Sequence, residues 1–197
     1  MKRKLIIATK NVGKIREFKR LSFDKEFDIY SLIDLEDLPE TNEDGQSFEE
    51  NAVKKSESIY KLTGNPTIAD DSGLEIDYLS GAPGVRSARF AGYSTLQNIK
   101  NEKIISMLDE IKPEERGAQF RCIIAFSDDS GTKTFEGICR GRISEEPKGT
   151  SGFGYDPIFI PDGYDKTFGE LDEDIKNRIS HRSKAIEKFY NWFSKNK

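Results

Sequence analysis

Asp70 and Asp71 stand side by side directly after the apolar run Thr67-Ile68-Ala69. Two adjacent carboxylates at the end of a buried strand repel each other, and each needs water, a hydrogen-bond donor or a cation. Mg2+ suits such a pair, because one or two carboxylates are enough when phosphate oxygens complete its shell. The run Thr9-x-Asn11-x-x-Lys14-x-x-Glu17 lies where an apolar strand turns into a helix. Free backbone N–H groups and the helix dipole favour an anion there. Thr9 and Asn11 can donate to phosphate oxygens, and Lys14 adds a positive charge. The segment lacks the glycine and lysine spacing of a Walker loop. In Thr150-Ser151-Gly152-Phe153-Gly154-Tyr155-Asp156-Pro157 the glycines allow close backbone approach to a ligand. Phe153 and Tyr155 offer stacking faces to a base, and Asp156 offers an acceptor. Lys176 and Ser180-His181-Arg182, at the entry of a helix, can read polar atoms of a ligand. His181 is the only histidine, and no serine or aspartate partners place it in a nucleophilic triad.

Each segment has an ordinary structural reading beside the functional one. Asp-Asp-Ser-Gly is common turn chemistry, Lys14 can be a solvated lysine, the aromatic rings near Gly152 can be core, and Ser180 can cap a helix. The acidic loop Glu40-Thr41-Asn42-Glu43-Asp44-Gly45 holds further carboxylates, most of them solvated or capping, one of which can join Asp70 and Asp71 around a metal.

The elements that position these residues follow from pattern. Lys4–Thr9 reads as a strand, followed by a helix from Lys14 to about Leu21 and a strand near Phe27–Ile33. Ser47 and Glu50 form a capping box for a helix whose apolar face includes Phe48, Ala52 and Tyr60, and which Gly64 and Pro66 end. Thr67–Ala69 is a short strand leading into Asp70–Gly73, and Leu74–Leu79 is a further strand. Gly81–Gly92 is a loop, and Ser94 and Gln97 cap a helix reaching about Ile111. Phe120–Phe126 and Thr134–Ile143 are antiparallel strands joined at Asp128-Asp129-Ser130-Gly131. After the Gly149–Pro157 loop and a short apolar run, the last helix begins near Ser180, with Ala185, Ile186, Phe189 and Trp192 as its apolar face. The pattern predicts one α/β domain spanning 1–197 with a mixed sheet.

Composition limits the function classes. The chain has 197 residues and a net charge of −4, with both signs spread throughout, so no basic track for nucleic acid exists. Its 13 Phe and 7 Tyr supply a core despite an apolar fraction of 35%. No stretch has the length of a transmembrane helix, so no membrane role is expected. Cys122 and Cys139 lie in apparent strands at no zinc spacing; they read as buried free thiols and point to a cytoplasmic protein.

In order, the segments TxNxxK, ENAxxK, DDSGL, GxPGVxSAR, GFGYDPIF and SHRxKA occupy Thr9–Lys14, Glu50–Lys55, Asp70–Leu74, Gly81–Arg89, Gly152–Phe159 and Ser180–Ala185. Together they resemble the inosine triphosphate pyrophosphatase (XTP/dITP diphosphatase, Ham1-like) family over nearly the whole chain. The resemblance implies an elongated α/β fold, with a central mixed β-sheet flanked by helices and two lobes with a cleft between them. It implies a homodimer that uses Mg2+ to hydrolyse a small-molecule substrate, a deaminated purine triphosphate (ITP, dITP or XTP), to the monophosphate and pyrophosphate. By the same resemblance Thr9, Lys10, Asn11, Val12, Gly13 and Lys14 form the triphosphate loop. Asp71 is the general base and a metal ligand, and Ser72 touches substrate. Phe153, Gly154, Tyr155, Asp156, Lys176, His181 and Arg182 recognise the nucleotide, with Lys55 and Arg89 as further polar positions. Glu43 matches the family's metal glutamate, with Glu40 as the fallback. Ser151 stands where the family often has glycine.

Overall fold

A computed structural model describes residues 2–20, 27–35, 38–39, 41–92 and 94–196. Strand β1 (Arg3–Ile7) is followed by α1 (Val12–Arg20), β2 (Phe27–Ser31), α2 (Phe48–Thr63) and β3 (Thr67–Ile76). Then come α3 (Gln97–Ser106), β4 (Gly117–Asp128), β5 (Gly131–Ile143), β6 (Phe159–Pro161), α4 (Glu173–Ile179) and α5 (His181–Lys195). The strands form one mixed sheet in the order β2-β1-β3-β4-β5-β6. β1 runs parallel to β2 (Ile7 opposite Ser31) and to β3 (Ile7 opposite Ile68), whereas β5 and β6 are antiparallel (Ile143 opposite Phe159). This is the expected mixed sheet flanked by helices.

The chain divides into two compact units: Met1–Asp71 with Cys122–Gly137 and Arg182–Lys197, and Ser72–Arg121 with Ile138–His181. In the first, alternation along the strands sends side chains to two cores. Leu5, Ile7, Ile68, Cys122, Ile124 and Phe126 pack with Phe18 of α1 and Ala185, Ile186 and Phe189 of α5. Ile6, Ala8 and Ala69 pack with Ile59 of α2 and Leu32. β3 therefore has α1 and α5 on one face and α2 on the other. The second unit closes around Leu74, Ile76, Ile104, Phe120, Tyr155, Phe159 and Phe168.

Several local expectations change. Asp-Asp-Ser-Gly is not a turn: β3 runs unbroken from Thr67 to Ile76, because burial on both faces and pairing on both sides outweigh turn propensity. Ser47 does cap α2, accepting the Glu50 N–H at 3.1 Å, but the Glu50 carboxylate accepts from Gln46 N–H at 2.6 Å rather than from the cap residue. Ile59, not Tyr60, is the buried residue late on that helix, which ends at Gly64 in a left-handed conformation. Ser94 does not cap α3; the N-cap is Leu96, without a side-chain bond, and the helix stops at Ser106 rather than near Ile111. Within the Gly81–Gly92 loop, Gly84–Arg89 forms a 3-10 turn. Helix α4 was not foreseen, and Ser180 is its C-cap residue, immediately before α5. Both cysteines are buried and free, as expected.

Phe189 is fully buried against Phe126, at 5.0 Å between ring centroids, and Phe135, at 5.5 Å. Phe189→Ala is predicted to lower stability by about 3–5 kcal/mol, and Trp192→Ala, on the half-buried end of the same stripe, by clearly less. Urea denaturation of both variants checks this.

Candidate active site

Successive side chains on a strand point to opposite faces, so Asp70 and Asp71 are solvated by different helices. Asp70, 1% exposed, shares the face of Ile68. Lys14 of α1 places its ammonium 3.1 Å from Asp70 Oδ2, and Arg182 of α5 donates from Nε to the same oxygen at 3.1 Å. The Arg182 guanidinium, itself 2% exposed, also donates to Glu17 Oε2. Burial by itself pushes the Asp70 carboxyl up, but Lys14, Arg182 and Lys55 outweigh it and hold the group well below the ordinary carboxylate range. The Cys122 thiol lies 4.0 Å from Asp70 Oδ2 and is pushed up by burial and by that negative charge.

Asp71, 6% exposed, shares the face of Ala69 and meets α2. Asn51 and Lys55 lie one helical turn apart, hence on one face. Asn51 Nδ2 donates to Asp71 Oδ2 at 2.9 Å, and Lys55 Nζ lies 3.8 Å from Asp71 Oδ1. Lys55 also donates to the Asp70 carbonyl and to Glu43 Oε1, both at 2.6 Å. Asp71 ends above the usual carboxylate range: burial raises it, Glu43 adds to the rise, and Lys55, Lys14 and Asn51 only partly offset them. Burial disfavours the Lys55 charge, yet Asp71, Asp70 and Glu43 together raise its pKa.

The acidic loop lies back along α2. Glu43, Asp44, Gly45 and Gln46 bond in reverse order to Lys55, Lys54, Asn51 and Glu50. Glu43 and Asp71 thus converge on a single ammonium. Oxygen donors that gather around a cationic nitrogen are the right chemistry for a hard divalent ion, which takes few protein ligands when phosphates supply the rest. Among the described residues no cage of three or more His, Cys, Asp or Glu exists; Glu43 and Asp71 offer two carboxylates, a number that suits Mg2+ only where phosphate oxygens complete its shell. Glu40 lies outside the described residues.

After β1 and into the first turn of α1, Lys10 and Val12 are exposed and Gly13 is half-buried. Asn11 Oδ1 accepts the Lys14 N–H at 3.1 Å, and Thr9 Oγ1 accepts the Asn11 N–H at 3.2 Å. Asn11 therefore caps α1 with its oxygen, which fixes Lys14 on the first turn, beside Asp70.

In the second unit, Asp156, 2% exposed, accepts from Lys176 Nζ at 2.6 Å and from Phe153 N–H at 2.7 Å, both on Oδ2. Expected as an acceptor for a base, it is engaged by the loop itself. Gly152 makes room for this: its φ is +76°, and a Cβ there would come within 2.0 Å of that oxygen. Lys176 Nζ lies 4.7 Å from the Phe153 ring centroid, so the ring carries a cation at its face. Tyr155 is core and donates its hydroxyl to the Ser87 carbonyl at 2.8 Å; Ser87 Oγ in turn accepts the Leu74 N–H at 2.9 Å. Gly154 has a φ of +64°. His181 stacks on Phe120 at 4.7 Å. Ser72 and Arg89 are half-buried, Arg89 at the end of its 3-10 turn.

The structure thus brings Lys14 and Arg182 to Asp70, and Lys55 and Glu43 to Asp71, in the first unit, and joins Phe153, Asp156 and Lys176 in the second, where His181 stacks on Phe120. Arg182, grouped in the sequence with His181, is committed to Glu17 and Asp70. Sequence reasoning gave no role to Asn51 or Glu17. The signals were available: Asn51 sits one turn before Lys55 in ENAxxK, and Glu17 one turn after Lys14.

The sequence profile of the Ham1 family matches residues 5–192. This chain belongs to the Ham1 family. Ham1-family relatives include the dITP/XTP pyrophosphatase of Bacillus licheniformis, 50% identical over 94% of this chain and 95% of that protein. The dITP/XTP pyrophosphatase of Bacillus subtilis is 49% identical, with 93% of each chain covered. The Staphylococcus aureus Ham1 protein superposes with a TM-score of 0.88 at 38% identity, covering 99% of this chain and 100% of that one. The Coxiella burnetii HAM1 protein gives 0.89 at 36% identity, covering 98% and 99%.

The opposite shifts of the two aspartates predict opposite effects on stability in metal-free buffer. Asp70 has a depressed folded pKa. Its contribution is present above the ordinary carboxylate value of about 3.9 and is lost as pH falls through the depressed one. Asp70→Asn should therefore cost about 3–5 kcal/mol at neutral pH by removing the buried charge that Lys14 and Arg182 share, with the deficit narrowing in acid. Asp71 has a raised folded pKa, so its contribution is present below the ordinary value and is lost as pH rises through the raised one. Asp71→Asn should leave neutral-pH stability unchanged or higher. Thermal melts of both variants from pH 3 to 8 check the pair.

Proposed function

We propose that this protein hydrolyses deaminated purine nucleoside triphosphates (dITP, ITP and XTP) to the monophosphate and pyrophosphate, using Mg2+. The observation that carries the reading is Asp71: a buried carboxylate with a raised pKa, beside Glu43 and one residue from a carboxylate that holds Lys14. The names of the Bacillus relatives support the substrate class.

Lys14, Glu43 and Asp71 are assigned to the triphosphate. A triphosphate carries roughly four negative charges, which Lys14 at the start of α1 partly offsets. Asp70 keeps that lysine in place. Mg2+ held by Glu43 and Asp71 supplies charge neutralisation on phosphate oxygens when bound. Asp71, oriented by the Asn51 amide on its Oδ2, is the carboxylate that accepts the proton of the attacking water. The water oxygen bonds to the α-phosphorus, the bond from that phosphorus to the α,β-bridging oxygen breaks, and pyrophosphate leaves.

Base choice is assigned to Phe153, Lys176 and His181. Phe153 supplies a stacking face for any purine. Lys176 and His181 supply donors for a 6-oxo group, where adenine would set an amino donor against a donor. An unmatched buried polar group costs about 1–3 kcal/mol, enough for useful discrimination. Guanine keeps the 6-oxo group, so its rejection falls to the surroundings of its 2-amino group. The resemblance to the family further supports a homodimer in the cytoplasm, with residues 1–197 acting as one catalytic domain.

With dITP or ITP and Mg2+, the purified protein is expected to release pyrophosphate and the monophosphate. Release of orthophosphate and the diphosphate would overturn the reading. Asp71→Asn should lower kcat by roughly 10²-fold or more in a folded protein, and His181→Ala should narrow the ITP-to-ATP ratio of kcat/KM while Phe153→Ala weakens both substrates alike.

A further inference from the structure

Asn51 is 1% exposed and both ends of its amide are used. Oδ1 accepts the Gly45 N–H at 2.8 Å, and Nδ2 donates to Asp71 Oδ2 at 2.9 Å. An amide has one accepting and one donating end. The Gly45 N–H requires the oxygen on its side, so the donating end must face the carboxylate. Gly45 is itself fitted to this contact: a Cβ there would stand 2.6 Å from Asn51 Oδ1 and 3.0 Å from Glu50 Cβ, so a larger residue would lift the loop off the helix.

From this geometry we infer that Asn51 is a positioning residue that ties the acidic loop, and with it Glu43, to Asp71, so that one short amide sets the spacing of the two carboxylates. The inference rests on the proposed reading of Glu43 and Asp71 as the cation's ligands.

The other loop contacts are poorer rulers. Lys54 and Asp44 form an exposed pair, of a kind worth little. Lys55 reaches Glu43 on a flexible four-carbon stem with a rotatable ammonium, which tolerates displacement. The Asn51 side chain is short and anchored on the first turns of a capped helix, and it bonds a backbone N–H rather than a mobile group. It also leaves Asp71 Oδ1 and the Glu43 carboxylate outside its own bonds. Partners behind metal ligands typically change metal affinity by 10- to 100-fold when removed.

The test uses full-length protein and two variants that break the tie differently. Asn51→Leu removes both amide bonds at similar volume. Gly45→Ala pushes the loop away while leaving the Asn51–Asp71 bond. Mn2+ alone is titrated into each protein and the free ion is read by electron paramagnetic resonance; amide hydrogen exchange is followed across residues 41–46. Both variants should bind Mn2+ at least tenfold more weakly and exchange faster in that loop, with kcat for dITP falling more than KM rises. Unchanged Mn2+ affinity and loop exchange in folded Gly45→Ala overturns the inference, as does an Asn51→Leu protein that only melts lower. Wild type that binds Mn2+ but releases no pyrophosphate would sink the proposed activity instead. Wild type that binds no Mn2+ overturns Asn51's role toward a cation, even if the loop loosens in the variants.

Discussion

Two adjacent carboxylates buried in the middle of a strand impose the condition that organises the first unit. β3 sends Asp70 and Asp71 to opposite faces, so their side-chain hydrogen-bond partners differ, although the charges of Lys14 and Lys55 act on both. Each face must therefore bring its own compensation. α1 and α5 deliver Lys14 and Arg182 to one carboxylate, and α2 delivers Asn51 and Lys55 to the other. The same helices supply the apolar residues that bury the strand, so packing and charge compensation are one arrangement.

The compensation is unequal, and the inequality has chemical meaning. Asp70 is over-supplied with positive charge and stays ionised, which makes it an anchor for cationic side chains. Asp71 is under-supplied and costly to charge, which leaves it with unmet demand for a proton or a cation. A single strand thus presents, at neighbouring positions, one carboxylate held ionised and one that is costly to charge. In the second unit the logic is different. A carboxylate there folds a glycine-rich loop around itself, and Gly152 is required because the Asp156 oxygen occupies the space a side chain would fill.

Much of the fold was legible in the sequence because its signals are local. The Ser47 cap, the Gly64 stop and the turn at Asp128–Gly131, where the Ser130 N–H bonds back to Asp128, need only neighbouring residues. Where the expectation failed, a distant partner decided. Ile59 displaces Tyr60 from the core because α2 is rotated to bring Asn51, Lys55 and Ile59 onto the sheet together. Asp-Asp-Ser-Gly is a turn by local propensity and a strand by pairing. α4 carries too short an apolar pattern to announce itself, yet it is the element that places Lys176 on Asp156.

The candidate residues could be named from the resemblance to the family: Thr9 to Lys14, Asp71, Phe153 to Asp156 and His181 lie in motifs whose order resembles it, and Lys176 shortly precedes the last of them. Spacing along a chain also implies which side chains share a helical face, so Asn51 and Lys55 were within reach of a closer reading. What spacing cannot carry is the choice of partner across the fold. That Arg182 turns to Glu17 and Asp70, that Glu43 meets Asp71 through Lys55, and that Asp156 is taken up by Lys176 and the Phe153 N–H are decided by contacts between residues 12 to 165 positions apart, or by a tight loop. Burial makes such contacts selective, because an unpaired charge away from water is too costly to leave, and only the tertiary structure determines which charges are buried together.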